Sequence, residues 1–447
     1  MYYLPHTEEE IKEMLKEIGV NRVEELYSTV PSSIRLKQSL NLESSLSEKE
    51  VKGKIEKIAQ KNHPLCNFNS FLGAGCYQHY LPNALKFILS RSEFTTSYTP
   101  YQAECSQGTL QALYEYQSYI CLLTGMEASN ASLLDGASSL AEAVLMSLRI
   151  TRKKKVLVAK TIHPRYRQVL STYLSGFNFL IQGIEFDKGG FVDLEDLKSH
   201  LDSECACFCF QNPNFFGLIE DVERLAQLVK EKEILPILVV NPLSLAILKE
   251  PASLGVEIVC GDGQILGGAL SFGGPSFGFL ATKEKYLRQI PGRIVGETHD
   301  LEGKRCFCLT LQTREQHIRR GKATSNICSN QSLNAIACAV YLSLLGKEEF
   351  YKVALYSLNL THYLFECLKE IKRIAFPFQA RFFNEFVWQA DNCKRILEFL
   401  YKKKIIAGYY LGADYPSLKN AILSCCTEIK TKEEIDEFIS ILKFLLK

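Results

Sequence analysis

Several properties that would assign a function directly are missing from this sequence of 447 residues. Its 52 basic residues nearly balance 50 acidic ones, and a net charge of +2 gives no broad field to attract nucleic acid or an anionic membrane. No run approaches the roughly 20 apolar residues that span a bilayer. The polar N-terminus, MYYLPHTEEEIKEMLKEIG, does not resemble a signal peptide. We therefore expect a cytoplasmic protein.

The cysteines match neither a disulfide framework nor a metal-binding motif. Sixteen cysteines in a chain of this length are not the dense pattern of small secreted domains. Cys205, Cys207 and Cys209 alternate along the sequence, so they share one face of a predicted strand. No CxxC pair or nearby histidine completes a tetrahedral set with them. We interpret them as core residues and predict no metal site.

Lysine is absent between Lys249 and Lys283, a stretch that contains the glycine-rich segment GDGQILGGALSFGGP (261–275). Glycines allow a backbone to approach a phosphate closely. The segment is nevertheless a poor match to GxGxxG, and it closes the region of alternating strands and helices instead of opening it. A dinucleotide site is therefore disfavoured, and the glycines fit a chain that turns back at the edge of a sheet.

The middle of the chain alternates short apolar strands with helices. Strands are predicted at 156–160, 177–186, 206–211, 235–240 and 256–260, with helices between them. This pattern predicts a mostly parallel, buried sheet with helices on both faces. Ligands of such sheets bind at the carboxyl ends of the strands.

The flanking regions predict two further parts. Residues 1–66 are charged and helical, with a capping box at Thr7, and are interpreted as an N-terminal helical arm. We expect a large domain over 67–328 and a smaller C-terminal α+β domain over 329–447. The small domain has two strand-like stretches, FFNEFVWQA and AILSCCTEI, and a last helix capped at Thr431.

Three polar segments are candidate sites, each with a structural alternative. YTPYQAE (98–104) places tyrosines and a threonine around a rigid proline, for binding or as a turn with buried tyrosines. NASLLDGASS (130–139) opens a helix of small residues, where its polar groups suit an anion or serve as ordinary caps. TREQHIRRGKATSN (313–326) forms a phosphate clamp or a solvated basic face before an N-cap.

Long stretches of the chain, in order, resemble the glycine decarboxylase (P-protein) family of the glycine cleavage system, and within it the subunit 1 type. The resemblance covers essentially the whole chain. It rests on FLGAGCYQHYLP, YTPYQAECSQGTLQALYEYQ, LTGMEASNASLLDGASSLAEA, QNPNFFGLIED, FGGPSFGFLAT, PGRIVGET and TREQHIRRGKATSNICSNQSL.

The resemblance implies a fold and an activity. The fold is that of fold-type I enzymes dependent on pyridoxal phosphate (PLP), with an α/β large domain, a small C-terminal domain and an active site at a subunit interface. The activity is decarboxylation of PLP-bound glycine, with release of CO₂ and transfer of the aminomethyl group to the lipoyl group of H-protein. PLP supplies the electron sink, and the protein positions it.

The resemblance also implies that this chain has a degenerate cofactor site. Such enzymes bind PLP through a lysine amine. In fold-type I enzymes that lysine follows the strand that corresponds to VEIVC (256–260) of this chain. This chain has no lysine at that place. Asn241 stands where an acid usually meets the pyridine nitrogen. We expect PLP to be held covalently by a partner, subunit 2, in a complex with two copies of each chain, and this chain to complete the partner's site.

The resemblance suggests residues for that role. Those expected at the phosphate of the partner's PLP are Thr324, Ser325 and Asn326. Those of the aromatic loop expected near the substrate are Tyr98, Thr99, Tyr101 and Gln102. Those expected to line the pocket or steady the interface are Tyr77, His79, Arg293, Arg314, Arg319 and Arg320.

Two departures and two alternatives accompany this interpretation. Gly321 stands where an acid commonly precedes the lysine of KATSN, and Cys76 where an aromatic or small residue is usual. The first alternative is an autonomous PLP enzyme of the aminotransferase or desulfurase kind that uses another lysine, such as Lys283. The second is a regulatory homologue that has lost the chemistry.

Overall fold

The computed structural model describes residues 6–36, 38, 40–95, 97–327 and 330–446. The chain divides into two compact units, Met1–Pro64 and Leu65–Lys447. In the first unit, α1 (Glu8–Ile18) and α2 (Glu48–Ala59) each begin with a capping box, at Thr7 and at Ser47. Both helices lie within the segment 1–66 that is predicted as a helical arm. The segment between them contains a single short 3₁₀ turn in its described part.

The second unit contains the remaining described helices and strands. Its helices are α3 (Asn83–Leu89), α4 (Ser92–Thr95), α5 (Gln107–Thr124), α6 (Gly136–Thr151), α7 (Pro164–Leu174), α8 (Leu194–His200), α9 (Val222–Lys230), α10 (Gln316–Arg319), α11 (Ser332–Lys369), α12 (Cys393–Lys402) and α13 (Lys432–Leu445). Its strands are β1 (Asn69–Ser70), β2 (Ala128–Ser129), β3 (Lys155–Ala159), β4 (Leu180–Ile184), β5 (Cys205–Asn212), β6 (Leu235–Val240), β7 (Ile258–Asp262), β8 (Gly278–Thr282), β9 (Ile294–His299), β10 (Arg305–Thr310), β11 (Glu385–Gln389), β12 (Ile405–Ile406), β13 (Tyr409–Tyr410) and β14 (Ala421–Cys425).

A seven-stranded sheet forms the core of the large domain, in the order β2-β8-β7-β6-β5-β3-β4. The strands from β4 to β7 pair in parallel, as predicted, while β8 runs antiparallel to β7. The chain therefore turns back through the glycine-rich segment, as the sequence indicated. Cys205, Cys207 and Cys209 are fully buried on β5, which confirms their interpretation as core residues.

The strand predicted at 177–186 is shorter in the structure. Only Leu180–Ile184 pair with β3. The Phe177 amide closes the turn after α7 by donating to the Leu174 carbonyl, and the Glu185 amide donates to the Asp196 carboxylate instead of to a neighbouring strand. The prediction was wrong at both ends because these local hydrogen bonds replace hydrogen bonds to a neighbouring strand.

The C-terminal part builds a second core on an antiparallel sheet in the order β11-β14-β13. Trp388 on β11 is fully buried, and its indole N–H donates to the Ser424 hydroxyl at 2.7 Å. The long helix α11 is interrupted at Gly346, where φ is 62°. Among the described residues, no helix has the length and apolar character needed to cross a membrane.

Candidate functional site

The carboxyl ends of β5, β6 and β7 meet the N-terminus of α6 at one edge of the large sheet. The side chains there come from Tyr77, His163, Tyr166, Asn241, Asp262 and Gln264, and the space that they leave is about 40 Å³. We call this the closed pocket. Ligand sites are cavities of ~300–1,000 Å³, and the closed pocket taken alone is much smaller than that.

Asp262 supplies the negative charge at the start of α6. Its carboxylate accepts hydrogen bonds from the amides of Gly136 and Gln264, both at 2.9 Å, and from the Ser276 hydroxyl. Free amides at a helix N-terminus favour an anion, and here the chain provides one from β7. Burial raises the pKa of Asp262, while these hydrogen bonds oppose the shift. An external phosphate would have to displace this carboxylate.

Gln264 closes the pocket from the glycine-rich side. Its side-chain amide donates to the carbonyls of Tyr77 and Gly268 at 2.8 and 2.9 Å, and its oxygen accepts the Tyr77 amide at 2.9 Å. Because these bonds use both ends of the amide group, the side chain fixes the segment at Tyr77 against the turn after β7. This explains why a neutral amide, and not an amine, suits the position.

His163 and Tyr166 complete the wall as uncharged groups. The His163 Nδ1 accepts the Arg165 amide at 3.1 Å, so its Nε2 donates to the Ala74 carbonyl at 2.8 Å. Burial lowers the pKa of His163 to about 4, and burial raises the pKa of Tyr166 well above its ordinary value. Asn241 caps the next turn by accepting the Leu243 amide at 3.1 Å. None of these groups supplies the acid or the amine that PLP chemistry uses.

Lys283 lies at the opposite edge of the sheet. Thr282 is paired with Ile258 at the start of β7, so the next residue lies beyond the amino-terminal end of the parallel strands. The Lys283 ammonium is 3.9 Å from the Glu127 carboxylate. The suggestion that Lys283 serves as a PLP lysine is therefore wrong on geometry, since the ligand edge is the other one.

A second cavity, of about 60 Å³, lies beside the predicted TSN turn. Its polar and aromatic lining residues include Tyr101, Ser132, Arg293, Glu315, His317, Thr324, Ser325 and Asn330. We call it the turn cavity. It brings together one residue of the predicted aromatic loop, two of the predicted arginines (Arg293 and Arg314) and two residues of the predicted phosphate-contacting turn.

Arg293 is the central cation of the turn cavity and is 8% exposed. Its guanidinium donates to the Tyr101 hydroxyl and to the Asn330 side-chain oxygen, both at 3.0 Å, and lies 5.4 Å from the Tyr101 ring centroid. The Glu315 carboxylate is 3.5 Å from the Arg293 Nε and 3.6 Å from the His317 Nδ1. The cavity thus combines fixed positive charge, an aromatic face and one acid.

Arg314 also lines the turn cavity, but its guanidinium is used inside the chain. It donates to the carbonyls of Leu311 and Gly292 at 3.1 Å and to that of Ile290. The carbonyl of Arg314 accepts the Thr324 amide at 3.0 Å. Arg314 therefore fixes the backbone around the turn.

The other predicted residues lie outside the turn cavity. Tyr98 is 76% exposed. Thr99 accepts the Tyr101 amide through its carbonyl, and Gln102 begins the 3₁₀ turn Ala103–Cys105. Three of the other predicted residues, Arg319, Arg320 and Asn326, are exposed.

Tyr77 and His79 belong to a different region from the turn cavity. The Tyr77 hydroxyl donates to the Glu385 carboxylate at 2.7 Å, and the His79 Nδ1 donates to the Glu428 carboxylate at 2.7 Å. Both bonds join the segment before α3 to the C-terminal part of the chain. These residues therefore connect the two cores of the second unit.

Sequence reasoning missed the residues whose partners are far away in the chain. Asn330 donates to the Ala131 carbonyl at 2.6 Å, Ser325 donates to the Glu142 carboxylate at 2.8 Å, and Asp262 reaches Gly136. The segment 130–139 carried a signal for polar contacts, and its Asp135 proves to be a helix cap that accepts the Ser138 amide at 2.7 Å. Glu142 gave one further signal, as a lone acid in an apolar helix.

Comparison with known proteins identifies the family. The family described as glycine cleavage system P-protein matches residues 1–442. This chain belongs to the P-protein family. It is 49% identical over 437 residues to a protein of Desulforamulus reducens named probable glycine dehydrogenase (decarboxylating) subunit 1, and the match covers 98% of each chain.

Solved structures agree with membership of the P-protein family. A crystal structure of glycine decarboxylase (P-protein) of the glycine cleavage system, in inhibitor-bound form, is 40% identical, covers 100% of each chain and has a TM-score of 0.91. The sphingosine-1-phosphate lyase of Burkholderia pseudomallei, 13% identical, covers 93% of each chain and has a TM-score of 0.66, which shows a shared fold. The predicted α/β fold-type I class is confirmed.

Proposed function

We propose that this chain is subunit 1 of glycine decarboxylase, the P-protein of the glycine cleavage system. The family match over nearly the whole chain and the 40%-identical P-protein structure support this assignment. The reaction releases CO₂ from glycine and passes the aminomethyl group to the lipoyl arm of H-protein. A cytoplasmic location stays a prediction from the N-terminal sequence and the cysteine pattern.

The cofactor of the reaction is PLP, and the partner, subunit 2, holds it. The observation that carries this proposal is the closed pocket, where Asp262 and Gln264 occupy the space and the donors that a cofactor would need. No lysine lies between Lys249 and Lys283 to anchor the aldehyde. Two copies of each chain are the stoichiometry that we expect.

This chain then contributes the turn cavity to the partner's site. Thr324 and Ser325 lie beside Arg293, which is held in one orientation by Tyr101 and Asn330. A fixed guanidinium and a hydroxyl-bearing turn before α11 suit an oxyanion such as the cofactor phosphate or the glycine carboxylate. The exposed Tyr98 and the half-buried Thr99 would then lie at the contact with subunit 2.

Reconstitution tests the assignment. The chain is expressed alone and with subunit 2, PLP is counted per complex, and borohydride is used to fix pyridoxyl to protein before mass spectrometry. We expect pyridoxyl on subunit 2 only, and glycine–CO₂ exchange only in the mixture. Pyridoxyl on this chain would favour an autonomous PLP enzyme. A mixture without exchange would favour a regulatory homologue.

Replacing Thr324 by alanine tests the turn itself. The variant loses one charge-assisted hydrogen bond, which contributes about 1.5–3 kcal/mol, so the dissociation constant for PLP should rise roughly ten- to hundredfold with assembly intact. The control is Thr172→Ala, which removes an exposed hydroxyl bonded within α7. Unchanged PLP affinity in Thr324→Ala would place the phosphate contact elsewhere.

A further inference from the structure

Glu142 is the one acid in α6, a helix made mostly of small and apolar residues. It lies in α6, is 3% exposed, and is neither a cap nor part of either cavity wall. Its Oε1 accepts the Ser325 hydroxyl at 2.8 Å across 183 residues of sequence. Burying a carboxyl group costs free energy unless hydrogen bonds compensate, so this contact needs a physical explanation.

The hydrogen bond between Ser325 and Glu142 fixes the turn at Thr324 from the side of α6. The Ser325 hydroxyl donates to Glu142 and at the same time accepts the Ile327 amide at 3.1 Å. On the other side, the Thr324 amide donates to the Arg314 carbonyl at 3.0 Å. The backbone that carries the Thr324 side chain is therefore held between α6 and the segment that carries Arg314.

A cation on the same helix influences the acid. Arg149 lies two turns further along α6 and donates to the Gln289 carbonyl at 3.1 Å. Burial raises the pKa of Glu142, whereas the Ser325 hydrogen bond and the positive charge of Arg149 lower it. The Oε2 atom of Glu142 has no hydrogen-bond partner among the described residues. Among the described residues, the hydrogen bond of the Glu142 carboxylate is therefore the one to the Ser325 hydroxyl.

We propose that Glu142 is a positioning residue of the glycine decarboxylase site: through Ser325 it holds the turn that presents Thr324 to the partner's cofactor. The proposal rests on the function proposed above, because it needs Thr324 to face the partner. It also gives Ser325 a different role from direct phosphate binding, since the hydroxyl of Ser325 is directed to Glu142.

The test uses the complex with subunit 2 and two readouts. Hydrogen–deuterium exchange of residues 313–327 reports whether the turn is held, and titration of the apo complex with PLP reports what the turn does. The variants are Glu142→Gln, Ser325→Ala, their combination and Ser325→Thr, which keeps the hydroxyl. The control is Glu257→Gln, a buried acid that pairs instead with Lys230 and Lys285.

We expect Glu142→Gln and Ser325→Ala each to speed exchange in 313–327, with PLP affinity falling about tenfold in Ser325→Ala. The double variant should be no worse than Ser325→Ala, because Glu142→Gln weakens and Ser325→Ala removes the same hydrogen bond. Ser325→Thr should restore most of the affinity. Glu257→Gln should change neither readout.

Two kinds of result would overturn the proposal. Independent losses that multiply in the double variant would show that Glu142 and Ser325 do not act together, and unchanged exchange in both single variants would show that the turn does not depend on them. Thr324→Ala separates this failure from failure of the proposed function. If Thr324→Ala weakens PLP binding while the Glu142 and Ser325 variants do not, the function stands and the positioning role is wrong.

Discussion

Glu385 gives the sharpest prediction about stability, because it joins the wall of the closed pocket to the C-terminal core. It is buried and lies at the start of β11. Its carboxylate accepts the Ala74 amide at 2.6 Å and the Tyr77 hydroxyl at 2.7 Å. The perturbation is Glu385→Gln, which keeps the shape and retains both contacts if the Tyr77 hydroxyl accepts from the new amide.

The magnitude follows from the proton that Glu385 retains. Burial raises its pKa from 4.5 to about 7 in the folded chain. Below pH 4.5 the group is protonated in both states. Between 4.5 and about 7 the unfolded chain ionises first, so the free energy of unfolding falls as pH rises, and the loss levels off above 7. At 1.36 kcal/mol per pH unit the gap corresponds to on the order of 3 kcal/mol.

The assay is urea unfolding of wild type and Glu385→Gln at several values between pH 4.5 and 8. Glutamine has no proton to lose, so the stability of the variant minus that of wild type should increase across this range and then stay constant. Glu220 is another buried acid whose pKa burial raises to about 7. It titrates in both proteins, so its contribution to the pH dependence cancels in the difference. Glu398→Gln, at an exposed position on α12, is the control. A difference that does not change with pH would refute the reasoning.

Two further predictions concern the closed pocket and the contact between the cores. Asp262→Ala leaves the Gly136 amide without its carboxylate partner, so inorganic phosphate at ten times its dissociation constant should raise the variant's unfolding free energy by about 1.4 kcal/mol and leave wild type unchanged; an equal response would disprove the role of Asp262. Gly217→Ala places a β-carbon against the Glu385 carbonyl at φ 84°, and should lower the unfolding free energy by more than Gly303→Ala, where φ is 79° and no atom lies within 4 Å. Equal losses in urea unfolding would show that the close approach does not matter.

Most of the parallel sheet could be predicted because its signal is local. The strand predicted at 235–240 has the bounds of β6, and the helix predicted to open in segment 130–139 is α6, which begins at Gly136. The hairpin of β9 and β10 was not predicted, because β9 becomes polar and exposed after its first two residues and only two residues of β10 are buried.

Residues of the candidate site could be predicted where they belong to a local sequence motif. They could not be predicted where contacts between distant parts of the chain bring them together. The turn at Thr324 stood out as hydroxyl and amide residues before a helix, and the structure places it beside Arg293. Asp262 and Gln264 were visible only as members of a glycine-rich segment. Their roles depend on Gly136 and Tyr77, which lie 126 and 187 residues away, and no local pattern encodes such distances.

Helix α6 connects the two halves of the functional argument. Its first turn is closed by the Asp262 carboxylate, so the helix has its anion without any ligand, and its second turn presents Glu142 to the Ser325 hydroxyl. Because the Asp262 carboxylate already accepts the Gly136 amide, bound phosphate would add no stabilisation at this helix N-terminus. The same helix still holds the turn at Thr324 through the hydrogen bond between Glu142 and Ser325. Closure of one cavity and support of the other are therefore compatible, and together they are what a subunit needs if it completes a neighbour's site without binding the cofactor itself.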